Sequence, residues 1–163
     1  MSRFPWSSPR RPIYDFQHAV ERLAAAAEAA RTLPSPFVLV GRAENFLHGR
    51  PELDDAIRRL QAFEAVGANA LYAPGLTRPQ DIRTVCAAVS KPVNVVMGLK
   101  TASLSVADLA ALGVRRISSG SALSCAALGA FLRAAREIRE HGTFHFAEDA
   151  LPYADANDLV VRG

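Results

Sequence analysis

The chain has 163 residues, half of them apolar, which is enough for one domain with a real core and short for two. The formal charge is +3, but the cations are almost all arginine and alternate with Asp and Glu; this mixed solvated surface argues against a nucleic-acid partner. No stretch nears the roughly 18 apolar residues of a membrane span, and Cys86 and Cys125 stand apart without metal-ligand spacing, so the sequence reads as soluble and cytoplasmic with reduced thiols.

MSRFPWSSPRRPI, residues 1–13, carries arginine, proline and serine without an acid, and reads as a flexible basic arm ahead of a single domain over residues 14–163. DFQHAVERLAAAAEAAR follows with apolar residues at three- and four-residue steps, a helix that Asp15 can cap and that Pro34 and Pro36 end. FVLVG, residues 37–41, is a short apolar run bounded by proline and glycine, as in a strand buried on both faces. After a loop, ELDDAIRRLQAFEAVG is an amphipathic helix that Gly67 stops.

The pattern then repeats. ALYAPG is a second strand, RPQDIRTVCAAVS a helix, KPVNVVMG a third strand, SVADLAALG a helix capped by Ser105, and VRRISSG a fourth strand. A long helix covers about 121–140, and the tail reads as a turn with one or two short helical pieces. Four alternations of strand and helix predict a parallel sheet. Periodicity leaves two architectures open: a small open sheet with helices on both faces, or half of an eight-stranded barrel, whose full form takes about 250 residues.

In both architectures chemistry collects at the carboxyl ends of the strands, and polar residues fall there: Arg42, Glu44 and Asn45 after the first, Tyr72 on the second, Asn94 on the third, Ser118 and Ser119 after the fourth. Arg42 and Glu44 are two apart and share one side of an extended backbone. An arginine fork steadied by a carboxylate suits a substrate carboxylate or phosphonate; the plainer alternative is a surface ion pair. His48 reads as a solvated loop residue. Arg115 and Arg116 point to opposite faces and are expected to pair with acids of flanking helices, and both cysteines are expected to fill core.

GRAENFLHGRPELDDAIRRLQAFEAVGANALYAPGL, KPVNVVMG and GVRRISSGSAL, in this order, closely resemble the carboxyl-terminal half of the isocitrate lyase and phosphoenolpyruvate mutase superfamily, in its phosphonomutase-like branch. The resemblance runs from about Tyr14 to the C-terminus. It implies parallel (β/α) units forming about half of a TIM-type barrel, with an N-terminal helix and a long C-terminal helix. It also implies Mg2+-dependent making or breaking of C–C or P–C bonds in 2-oxo-acid-like carboxylates. By this resemblance Arg42 grips the substrate's carboxylate or phosphonate, Glu44 takes the neighbouring acidic position, and Asn94, Gly98, Ser118 and Ser119 line the pocket. Isocitrate-lyase-type members carry a glutamate where this chain has Pro74, which argues against isocitrate cleavage.

In full-length relatives the preceding half supplies the acids around Mg2+ and the mobile catalytic loop. The expectation is therefore a substrate-gripping half with no catalytic or metal-ligating residue of its own, binding no Mg2+ alone, with catalysis weak or absent. The expected partners are a small carboxylate or phosphonate and a second copy, the FVLV strand of one pairing with the VRRIS strand of the other to close eight strands; exchange of the last helix is the alternative. Two other functional readings are a non-catalytic paralogue that assembles with itself or a full-length relative, and an independent open-sheet binding domain. The lack of a glycine-rich phosphate loop weighs against the last.

Overall fold

The computed structural model describes residues 13–98 and 104–161. All but Ile13 of the expected basic arm lies outside these residues. The chain divides into two compact units, the first ending at Gly120 and the second beginning at Ser121.

The first unit opens with α1 (Phe16–Arg31), whose amino end is capped by the Asp15 carboxylate accepting from the His18 amide at 3.0 Å. Then come β1 (Val40–Arg42), α2 (Leu53–Ala65), β2 (Ala70–Tyr72), α3 (Pro79–Ala88), β3 (Val93–Val96), α4 (Val106–Ala111) and β4 (Arg116–Ser118). α4 starts with a capping box: Ser105 Oγ accepts from the Asp108 amide, and the Asp108 carboxylate accepts from the Ser105 amide.

The four strands are parallel and lie in chain order, β1-β2-β3-β4. Strand alternation then gives the sheet two unlike faces. Leu71, Val93 and Val95 point to one face and join a single apolar cluster with Leu60 and Phe63 of α2, Ile82 and Val85 of α3, and Leu109 of α4; Ala19 and Leu23 of α1 pack against it. Gly41 belongs to this face, because a Cβ there would lie 2.9 Å from Phe63 Cβ, so the glycine is what lets α2 approach β1.

The helices of this unit thus feed one side of a sheet whose order never reverses. An open doubly wound sheet would reverse its order and carry helices on both faces. The choice that periodicity left open falls to the barrel type, with Arg42, Tyr72, Asn94 and Arg116 on the face away from the apolar cluster.

One strand expectation is corrected. The first strand is not the buried FVLV run: strand pairing begins at Val40, and Phe37 and Val38 are 56% and 67% exposed. Its β-branched residues give the run strand composition, but no neighbouring strand pairs with its first half among the described residues. The loop after β1 also contains a 3-10 turn, Asn45–His48, that carries no periodic signal.

The second unit comprises α5 (Ala122–His141), a 3-10 turn (His145–Asp149) and α6 (Tyr153–Val161). The Glu137 carboxylate accepts from Thr143 Oγ1 and the amides of His145 and Phe146, which fastens the turn to α5. Cys125, expected to fill core, is exposed, because it lies on α5, which buries none of its residues. Among the described residues no helix is long and apolar enough to cross a membrane.

Candidate functional site at the strand ends

Register places four side chains in one row across the sheet: Arg42 opposite Tyr72, Tyr72 opposite Asn94, and Asn94 opposite Arg116. Register partners in a parallel sheet share a face, so the row lies together at the carboxyl ends of the strands.

At one end, Arg42 Nε contacts Glu44 Oε1 at 2.9 Å and its guanidinium lies over the Tyr72 ring, 5.0 Å from the centroid. The Arg42 side chain is half exposed, so the ion pair contributes under about 1 kcal/mol. Its effect is to set the direction of the fork. Burial pushes the Tyr72 phenol above its ordinary pKa, against the pull of Arg42 and Arg116, whose charges both reach it.

At the other end, Arg116 Nη1 donates to Asn94 Oδ1 at 2.7 Å, and Asn94 Nδ2 donates to Ser118 Oγ at 3.1 Å. Asn94 is buried, and these two bonds fix which way its amide faces. Among the described residues Arg116 therefore pairs with no acid of a flanking helix, contrary to what the sequence suggested. It sits two residues before Ser118 on one face of β4, and that spacing was the sequence signal for it.

A second network holds the loop carrying Glu44. Asn45, fully buried, donates through Nδ2 to Asp55 Oδ2 at 2.8 Å, and Arg59 Nε donates to the same oxygen. Arg59 Nη1 continues to the Tyr14 carbonyl at 3.1 Å, tying this loop to α2 and to the entry of α1. Burial works to raise the Asp55 carboxyl, but hydrogen bonds from Arg59, Asn45 and Arg58 outweigh it and lower the pKa to about 2. The loops after β1 and β2 also press together: Gly75, at φ 90°, would carry a Cβ 2.9 Å from Phe46 Cβ.

Of the residues expected in the site, Arg42, Glu44, Asn94 and Ser118 are brought to this face. Gly98, at φ 89°, and Ser119 lie just past the ends of β3 and β4 and are exposed. His48 closes the 3-10 turn.

A parallel sheet with helices on one face and charged and amide groups at its strand ends defines about half of a TIM-type (β/α) barrel. The chain belongs to the phosphoenolpyruvate phosphomutase family, whose pattern matches residues 6–139. It is similar to a provisionally assigned lyase/mutase from Burkholderia cenocepacia J2315, with 57% identity and a TM-score of 0.86 over 90% of this chain and 53% of that one. It is 35% identical to an oxaloacetate decarboxylase of Paraburkholderia xenovorans (strain LB400) over 72% of this chain and 37% of that protein. A phosphonopyruvate hydrolase solved with oxalate and Mg2+ superposes with a TM-score of 0.76 at 25% identity, over 96% of this chain and 57% of that one. The chain spans about half the length of these relatives or less.

The Mg2+ bound by that hydrolase provides a test for the donor set here. Mg2+ demands octahedral coordination by hard oxygen ligands. Beside Arg42 the carboxylate is Glu44, already bonded to a guanidinium. Asp55, Asp81 and Asp108, in the first turns of the following helices, are engaged by Arg58 and Arg59, by Arg78, and by Ser105. Among the described residues no group of three or more His, Cys, Asp or Glu side chains gathers into a metal cluster, and the carboxylates near the strand ends are engaged by cations or a hydroxyl instead of standing open as the one or two that a water-rich Mg2+ site needs. These residues do not fit the metal.

Proposed function

We propose that this chain binds a small carboxylate or phosphonate of the 2-oxo-acid type at its strand ends. Arg42 provides the fork and Glu44 its brace; Asn94, Ser118 and the backbone near Gly98 and Ser119 line the pocket. The observation that carries this reading is the in-register row Arg42-Tyr72-Asn94-Arg116, a line of donors on the face of the sheet away from its apolar core. The similarity to an oxaloacetate decarboxylase and a phosphonopyruvate hydrolase supports the ligand class.

In the family setting the reaction is Mg2+-dependent cleavage or rearrangement of a C–C or P–C bond. The described residues offer groups that bind and orient an anion but no set of oxygen donors for the metal, so this chain by itself binds its ligand with little or no turnover. Its place of action is the cytoplasm.

A thermal-shift titration with oxalate, and with phosphonopyruvate, each with and without Mg2+, tests the reading. Ligand should raise the unfolding temperature with occupancy, and Arg42→Ala should remove the rise. No rise with either ligand contradicts it.

A second reading, favoured by the sheet's two edges, concerns assembly. β1 and β4 each pair on one side only among the described residues, and unpaired edges are aggregation templates. Two copies related by a two-fold axis would join β1 of one to β4 of the other and close eight strands, making the chain an assembling, non-catalytic member of its family. A well-folded monomer in sedimentation at micromolar concentration contradicts this second reading.

A further inference from the structure

The two arginines of the strand-end row are not equivalent. Arg42 has its carboxylate partner in Glu44. Arg116 has no carboxylate within ion-pair distance among the described residues, and its one hydrogen bond to another side chain goes to the buried amide of Asn94. A guanidinium carries five N–H donors, so most of those on Arg116 stay available while the group is held still. An exposed arginine with no ligand to meet gains little from an anchor of this kind, since burying an amide is costly unless its bonds are well made. Asn94 meets that condition by giving its oxygen to Arg116 and its nitrogen to Ser118.

Arg42 and Arg116 stand three strand spacings apart in the row, about 14 Å between backbones at roughly 4.8 Å per strand. Both charges reach Tyr72, which lies between them, and the Arg42 guanidinium lies over its ring. Arg42 lies over Tyr72 and Arg116 reaches Asn94, so the two guanidiniums lean toward each other from the two ends of the row.

We propose that Arg116 is a ligand-binding residue that takes one anionic group of a short dianion whose other group lies on Arg42, with Asn94 as the positioning residue for Arg116. This rests on the reading of the strand-end face as an anion site and adds to it a second arm that selects dianions over monoanions.

The test is calorimetric titration of the whole chain with succinate, a dianion, and propionate, a monoanion of similar size. The chain should bind succinate more tightly than propionate. Arg116→Gln should weaken succinate roughly tenfold or more, as loss of a charged hydrogen-bonding partner does, and erase most of its advantage over propionate; Arg42→Gln should do the same. If Arg42→Gln removes succinate binding while Arg116→Gln leaves both affinities unchanged, the second arm is wrong and the anion site stands. If the unaltered chain binds neither molecule, both ideas are overturned. Should Arg116→Gln fail to fold, the guanidinium Nε–H resonance that Arg116→Lys lacks decides: it must shift on adding succinate to the unaltered chain, and a resonance that stays still overturns the proposal.

Discussion

Arg116 and Asn94 face each other as register partners across β3 and β4 and are joined by a 2.7 Å bond from Nη1 to Oδ1. Neither residue has this role by itself. The amide is buried because its two bonds go to β4, and the guanidinium is held because the amide cannot turn.

Asn94→Ala breaks both bonds at once. The stranded groups, on Arg116 and Ser118, are partly accessible to water, so the cost to stability should be about 1–2 kcal/mol and not that of two orphaned buried groups. Urea denaturation checks the size. Anion binding should fall further than stability, because Arg116 loses its fixed direction.

Asp55 makes the first unit sensitive to acid. Its folded pKa of about 2 lies below the ordinary 3.8. A depressed carboxyl contributes stability that is complete above its unfolded pKa and is lost as pH falls through the folded one. The contribution, about 2 kcal/mol by the size of the shift, should therefore be present above about pH 5 and disappear between about pH 4 and pH 2. Asp55→Asn should be destabilised at pH 7 and approach the unaltered chain near pH 2, as read by denaturant midpoints at both pH values.

Gly41 sets the distance between α2 and the sheet. Gly41→Ala places a methyl 2.9 Å from Phe63 Cβ and 3.3 Å from Ala68 Cβ. The clash is with the roots of side chains, which cannot swing aside, so the loss should be about 1–3 kcal/mol. A larger loss is expected for Gly41→Val. Thermal unfolding of the two variants gives the order, and a neutral Gly41→Val would contradict the packing described.

The two cysteines should react at different rates. Burial raises the Cys86 thiol above its ordinary pKa, whereas Cys125 is exposed. A thiol reagent at pH 8 should label one site fast and one slowly, and Cys125→Ser should remove the fast phase.

Much of the fold could be read from local pattern because helices announce themselves locally. The Asp15 cap, the Ser105 start of α4 and the Gly67 stop all rest on residues within one turn of the feature they mark. β1 was less legible. Phe37 to Val40 has strand composition, but pairing depends on what lies beside it: among the described residues the register begins at Val40, with Leu39 bonded to Asn69 and Ala70 at its edge. Local pattern likewise left barrel and open sheet undecided, since strand order is a property of long-range contacts; the family resemblance made that choice.

The site divided along the same line. Arg42 and Glu44 signal each other by spacing within one strand end, and the family resemblance added Asn94, Ser118, Gly98 and Ser119. The partner of Arg116 is not legible, because alternation tells which side a residue faces and nothing of its neighbour on the next strand. The Asn45-Asp55-Arg59 network was invisible for the same reason: Asp55 reads in sequence as one more acid in the first turn of a helix.

The central claim, that anions bind on the helix-free face at the strand ends, is tested most directly by following backbone amide resonances of the whole chain during an oxalate titration. The account predicts saturable shifts concentrated at Arg42, Tyr72, Asn94 and Ser118, with the helix-side residues Leu71 and Val95 following weakly. Shifts confined to the helices, or no saturable shift at all, would contradict it.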